Sequence, residues 1–78
     1  MFGKLLLPEI LELIEAKDFR ALKEIMSEWH PADLAELISD LPESHQFVVF
    51  RFLPKKLTTP VFEYLSVDSQ KNILESMG

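Results

Sequence analysis

Residues 31–77 read PADLAELISDL, PESHQFVVFRFL, PKKLTTPVFEYL and SVDSQKNILESM, and these four consecutive segments determine the fold that we predict. Each segment begins with proline or serine and ends with a large apolar residue. Apolar residues recur every 12 positions in three columns, which are Leu37, Val49, Val61 and Ile73, then Ile38, Phe50, Phe62 and Leu74, then Leu41, Leu53, Leu65 and Met77. Recurrence of this kind is typical of helical repeat proteins.

The segment boundaries have a physical cause. Pro31, Pro42 and Pro54 each suit the first position of a helix, because proline has no N–H group to leave unpaired there and disfavours helical geometry in the preceding residue. Ser66 can cap a fourth helix with its hydroxyl group, and Gly78 suits a helix C-terminus. Four short helices are therefore predicted in this half of the chain.

One proline does not fit the repeat. Pro60 falls in the middle of the third segment, where an interior proline costs about 3 kcal/mol. We expect the fifth helix of the chain to be kinked at Pro60, or to begin there after a turn capped by Thr58 or Thr59. The fourth helix, which contains HQFVVFRFL, is apolar on nearly all sides and is predicted to be central.

The residues before the repeats predict a helical hairpin over residues 4–29. A first helix should run from Lys4 or Pro8 to Ala16, and a second should follow Asp18 as its N-cap and carry apolar residues to Trp29. The predicted fold class is thus all-α, a short superhelical array of about six short helices with a 12-residue repeat over residues 30–77. The spacing allows either hand, and we expect a right-handed array. Residues 1–78 form a single domain or the N-terminal fragment of one.

Composition excludes several functions. The chain has no cysteine and carries eight basic against thirteen acidic residues, a net charge of −5. This balance disfavours nucleic acids as partners, and no apolar run approaches the roughly 18 residues that would insert into a membrane. We predict that the protein is not an enzyme, because it lacks phosphate-binding, nucleophile and metalloprotease motifs. His30 and His45 are interpreted as helix-start residues.

The acidic residues are the feature that best suits a ligand. Asp33, Glu36 and Asp40 follow helical spacing on one ridge of the third helix, and Glu24 and Glu28 form a pair on the second. Magnesium is commonly held by one or two carboxylates while it keeps much of its water. An amphipathic helix also needs a solvated polar face, so the spacing alone leaves both interpretations open.

The stretch from Lys17 to Met77, with HPADLAELISDLP, FRFLP and FEYL in order, resembles the N-terminal domain of the MgtE magnesium transporters. The resemblance covers about residues 5 to 77. It implies a regulatory domain on the cytoplasmic side of the cell membrane, in an integral membrane protein that also contains CBS domains and a transmembrane domain. It further implies that Mg²⁺ bridges acidic surfaces of these domains and holds the pore closed. The full-length protein could form a homodimer.

The resemblance does not transfer a complete metal site. The family often has an acidic residue where this chain has Pro60, and further acidic positions lie in repeats beyond Gly78. The candidate metal contacts, chosen for their surface chemistry, are Asp33, Glu36, Asp40 and Glu63, and we expect weak Mg²⁺ binding shared with other domains. The alternative is a magnesium-independent helical-repeat module that binds a partner protein.

Overall fold

The computed structural model describes residues 7–78, within which all regular structure is helical. Six helices follow one another, as the sequence predicts: α1 (Leu7–Ala16), α2 (Phe19–Met26), α3 (Pro31–Asp40), α4 (Glu43–Arg51), α5 (Lys55–Tyr64) and α6 (Val67–Ser76). The prediction that the first helix could start at Lys4 lies outside the described residues.

In the repeat region, each helix packs mainly against the helix that is two positions away in the chain. The closest helix pairs are α3 with α5 and α4 with α6, while α1 pairs with α2 as a hairpin and α3 also contacts α4. Equivalent positions on paired repeat helices are therefore 24 residues apart, which is two 12-residue repeats. This order is what a short superhelical array requires, because each turn stacks on the preceding one. Its predicted right hand stays a prediction.

The apolar columns of the sequence form the core. Leu37, Val49, Val61 and Ile73 have no exposed surface at all. The other two columns are buried in the first repeats and become exposed in the last helix, where 57% of Leu74 is accessible. Helix α3 buries four of its residues, more than α4, and contacts both α4 and α5. Helix α4 likewise contacts two repeat helices, α3 and α6, so α3 and α4 share the centre of the array, where α4 was expected.

The predicted capping residues make the predicted contacts. The Asp18 carboxylate accepts a hydrogen bond from the Ala21 N–H group at 3.3 Å, and the Ser66 hydroxyl oxygen accepts one from the Ser69 N–H group at 3.2 Å. Gly78 has φ +79° just beyond the end of α6, a conformation that glycine adopts without strain. These contacts pair backbone groups that would otherwise be unsatisfied at the helix ends.

The prolines differ from one another in position. Pro31 is the first residue of α3, as predicted, but Pro42 and Pro54 each lie one residue earlier, as the N-caps of α4 and α5. Both have extended backbone, and the Pro42 carbonyl accepts a hydrogen bond from the His45 N–H group at 2.9 Å. A proline suits this position equally well because the N-cap N–H group also has no partner within the helix.

Two of the predicted boundaries differ from the structure. Helix α5 begins at Lys55 and runs through Pro60, so the alternative in which it starts at Pro60 is wrong, while the kink at Pro60 stays a prediction. Pro60 lies in the middle of α5 and removes a single hydrogen bond there, to the carbonyl of exposed Lys56, which water can satisfy. Helix α2 ends at Met26 rather than reaching Trp29, because Ser27 caps its end and turns follow. Trp29 is nevertheless buried, so its predicted place in the core is correct.

Candidate functional site

The acidic ridge of α3 starts from a well-defined helix N-terminus. His30 is the N-cap, and its Nδ1 atom accepts a hydrogen bond from the Ala32 N–H group at 3.0 Å. The interpretation of His30 as a helix-start residue is confirmed. Asp33 lies in the first turn, where a negative charge is favoured by the helix dipole.

The opposite side of α3 faces the core. Leu34, Leu37 and Ile38 have no exposed surface, which fixes the rotation of the helix about its axis. Asp33 and Glu36 are consequently half-buried at the edge of the protein, and Asp40 at the helix end is exposed. The ridge is therefore a surface feature held in a fixed orientation by packing on the other side.

Helix geometry limits how these carboxylates can act together. Asp33 and Asp40 are separated by about 10 Å along the helix axis, at a rise of about 1.5 Å per residue. Magnesium binds its ligands at about 2.1 Å, so a single ion cannot contact both residues directly. Glu36 lies between them, and it can share an ion with either neighbour. The ridge can thus supply one or two ligands to each ion.

Glu63 lies apart from this ridge. It is exposed on α5 and lines a shallow depression with Phe62, Leu74 and Met77. Within residues 7–78, no group of three or more histidine or acidic side chains is arranged to hold a metal ion. The structure therefore does not gather the four candidate residues into one site, and any ion held by the ridge needs further ligands from water or another surface.

The sequence reasoning missed a second surface feature. Phe19 and Phe52 are both only half-buried, and their rings stack with centroids 4.1 Å apart. The signal that could have revealed this feature is charge, because Arg20 and Lys23 follow Phe19 and Arg51 precedes Phe52. In one sequence these short basic runs are too far apart to be recognised as neighbours.

Comparison with known proteins places the domain in a family. Residues 29–78 match the family described as the MgtE intracellular N domain. The chain belongs to this family. It is also 39% identical over 59 residues to the magnesium transporter MgtE of Thermus thermophilus. No solved structure gives a significant match.

The match to the transporter spans only a small part of that protein's length. It includes 76% of this chain but only 13% of the Thermus protein. No helix in residues 7–78 is both long enough and apolar enough to cross a membrane. The family match begins at Trp29, so it contains the repeats and the whole acidic ridge of α3, while the α1–α2 hairpin precedes it.

Proposed function

We propose that this chain is the regulatory, magnesium-sensing domain of a magnesium transporter and that it acts on the cytoplasmic side of the cell membrane. It would control the pore through Mg²⁺-dependent contacts with CBS and transmembrane domains of the same polypeptide. The family membership of residues 29–78 carries this proposal. The name of the Thermus relative, a magnesium transporter, indicates that the ion is Mg²⁺.

The acidic ridge supports a metal site that is completed by another domain, rather than one formed by this chain alone. Asp33, Glu36 and Asp40 carry like charges on one helix, and such charges repel one another. Each can offer a carboxylate oxygen to a hydrated ion, yet described residues 7–78 hold no complete cluster. A second acidic surface brought against the ridge would be repelled without Mg²⁺ and held with it. Mg²⁺ would thereby favour one of two domain arrangements.

Limited proteolysis of the full-length transporter in detergent tests this proposal. We expect Mg²⁺ to protect the segments that join the domains, and we expect protection to require about tenfold more Mg²⁺ when Asp33, Glu36 and Asp40 are replaced by Asn, Gln and Asn. The matched control replaces Glu12 and Glu15, which are exposed on α1, by Gln. Repeating the proteolysis with Ca²⁺ or Na⁺ at equal ionic strength shows whether protection is specific for Mg²⁺ or results from general charge screening.

The result can also contradict the proposal. Protection that is unchanged in the α3 variant would remove the ridge from the mechanism. A full-length protein whose domains associate equally well without Mg²⁺ would favour the magnesium-independent interaction module. An enzymatic activity is not proposed for this domain.

A further inference from the structure

We infer that the groove between α2 and the α4–α5 junction is a docking site for an acidic peptide segment that carries a large apolar side chain. The groove is lined by Phe19, Arg20, Lys23, Glu24, Ser27, Phe52 and Pro54, and it has a volume of about 510 Å³. It is separate from the α3 ridge, and the inference does not depend on magnesium sensing.

The floor of the groove is aromatic for a reason that the repeat does not explain. Phe52 occupies the same repeat position as Asp40, Tyr64 and Ser76, all of which are exposed. A phenylalanine is therefore not needed there for the core that the repeats share. Its ring instead stacks on Phe19 with an interplanar angle of 2°, so that two half-buried rings form one apolar surface.

The rim of the groove is basic in an otherwise acidic protein. Arg20 and Lys23 are exposed on α2, and the Arg51 guanidinium carbon lies 5.7 Å from the centre of the Phe52 ring. Glu24 is the single carboxylate among the lining residues. Within residues 7–78, no carboxylate forms an ion pair with Arg20, Lys23 or Arg51. These cations are thus available to a ligand.

Charge and shape together define the occupant. Cations beside an exposed apolar floor favour a ligand that has acidic groups around an apolar anchor, because the anchor is desolvated while the charges pair at the rim. Lys55 and Lys56, which directly follow the groove residue Pro54 in the chain, are also exposed. A purely apolar ligand would leave Arg20 and Lys23 without carboxylate partners.

A titration followed by NMR tests the inference on the ¹⁵N-labelled 78-residue chain. The probe is a short peptide in which Phe-Leu is flanked by Asp and Glu on both sides. One control peptide has Asn and Gln in place of the acids, and another has Gly-Ser in place of Phe-Leu. We expect the first peptide alone to shift the amide signals of Phe19, Arg20, Lys23 and Phe52.

Charge reversal supplies the matched variants. We expect Arg20→Glu with Lys23→Glu to raise the dissociation constant of the acidic Phe-Leu peptide by at least about tenfold. Lys71→Glu makes the same kind of change at an exposed position on α6, outside this groove, and should leave the constant within about twofold. Far-UV circular dichroism checks that all variants keep their helix content.

Several outcomes would overturn the inference. Equal binding of the neutral peptide would show that the cations do not select the ligand, and shifts that map to other residues would place the site elsewhere. Signals that respond only to phosphatidylserine vesicles would assign the basic surface to lipid headgroups instead. Repeating the titration with and without Mg²⁺ at equal ionic strength separates this result from the proposed function, because groove binding should not require the ion.

Discussion

Ile73 and Leu74 are neighbours in the chain and belong to adjacent columns of the repeat, yet they have opposite surroundings. Ile73 has no exposed surface, whereas 57% of Leu74 is accessible. The first column lies between stacked helices in every repeat. The second depends on a neighbour that residues 7–78 provide for Ile38 and Phe50 but not for Leu74. Repeat position alone therefore does not determine burial.

This difference predicts unequal effects on stability. Ile73→Ala should lower the free energy of unfolding by about 2–5 kcal/mol, because it removes buried methyl groups and leaves a cavity. Leu74→Ala should change it by about 0.5 kcal/mol or less, since most of that side chain stays in water. Urea unfolding monitored by circular dichroism measures both. Equal losses would mean that the two columns are buried alike.

Individual residues also show how far the sequence alone can lead. The caps Asp18, His30 and Ser66 could be predicted because each acts on backbone groups within three residues of itself. The contact of Phe19 with Phe52 could not, because 33 residues separate the rings and no local pattern records which helices become neighbours. The acidic ridge was predictable as a helix face, whereas its lack of further ligands depends on the tertiary arrangement.

At the scale of the helix, α5 shows how packing overrides local preference. Proline is the least favourable residue in a helix interior, but α5 runs from Lys55 to Tyr64 with Pro60 inside it. The buried residue Val61 anchors this part of the helix against the core. Helices of this length are marginal by themselves, so the contacts of α5 with α3 must compensate for the missing hydrogen bond.

Pro60→Ala should accordingly stabilise the protein. Alanine restores an N–H group that can donate to the Lys56 carbonyl and removes the steric conflict of the ring, which together should raise the free energy of unfolding by about 1–3 kcal/mol. The control is Pro42→Ala at the N-cap of α4, where no helical hydrogen bond is missing and a smaller change is expected. Thermal unfolding of both variants measures the difference. A destabilised Pro60→Ala variant would show that the proline ring itself is needed for packing.

Across the whole molecule, charge is the property that most distinguishes this domain. The full chain has a net charge of −5, and its described residues 7–78 have principal extents of 25 × 23 × 22 Å. From Glu9 to Glu43 there are ten acidic and three basic residues, so the remaining three acidic and five basic residues leave the rest of the chain net positive. The acidic excess is thus concentrated in residues 9–43, and Arg20 and Lys23 at the groove are two of the three basic residues within that stretch.

This distribution predicts how the isolated chain responds to salt. NaCl should raise the free energy of unfolding, because counterions screen repulsion among acidic groups that are closer together in the folded state than in the unfolded chain.

MgCl₂ at equal ionic strength should raise the free energy of unfolding only slightly further than NaCl does. If the Mg²⁺ concentration equals the dissociation constant, binding raises the free energy of unfolding by about 0.4 kcal/mol. If the Mg²⁺ concentration is about a hundred times the dissociation constant, the rise is about 2.7 kcal/mol. An increment near the lower value, lost when Asp33, Glu36 and Asp40 become Asn, Gln and Asn, fits a ridge that holds ions through water. An increment near the higher value would mean that the chain contains a complete metal site, and it would contradict a site shared between domains.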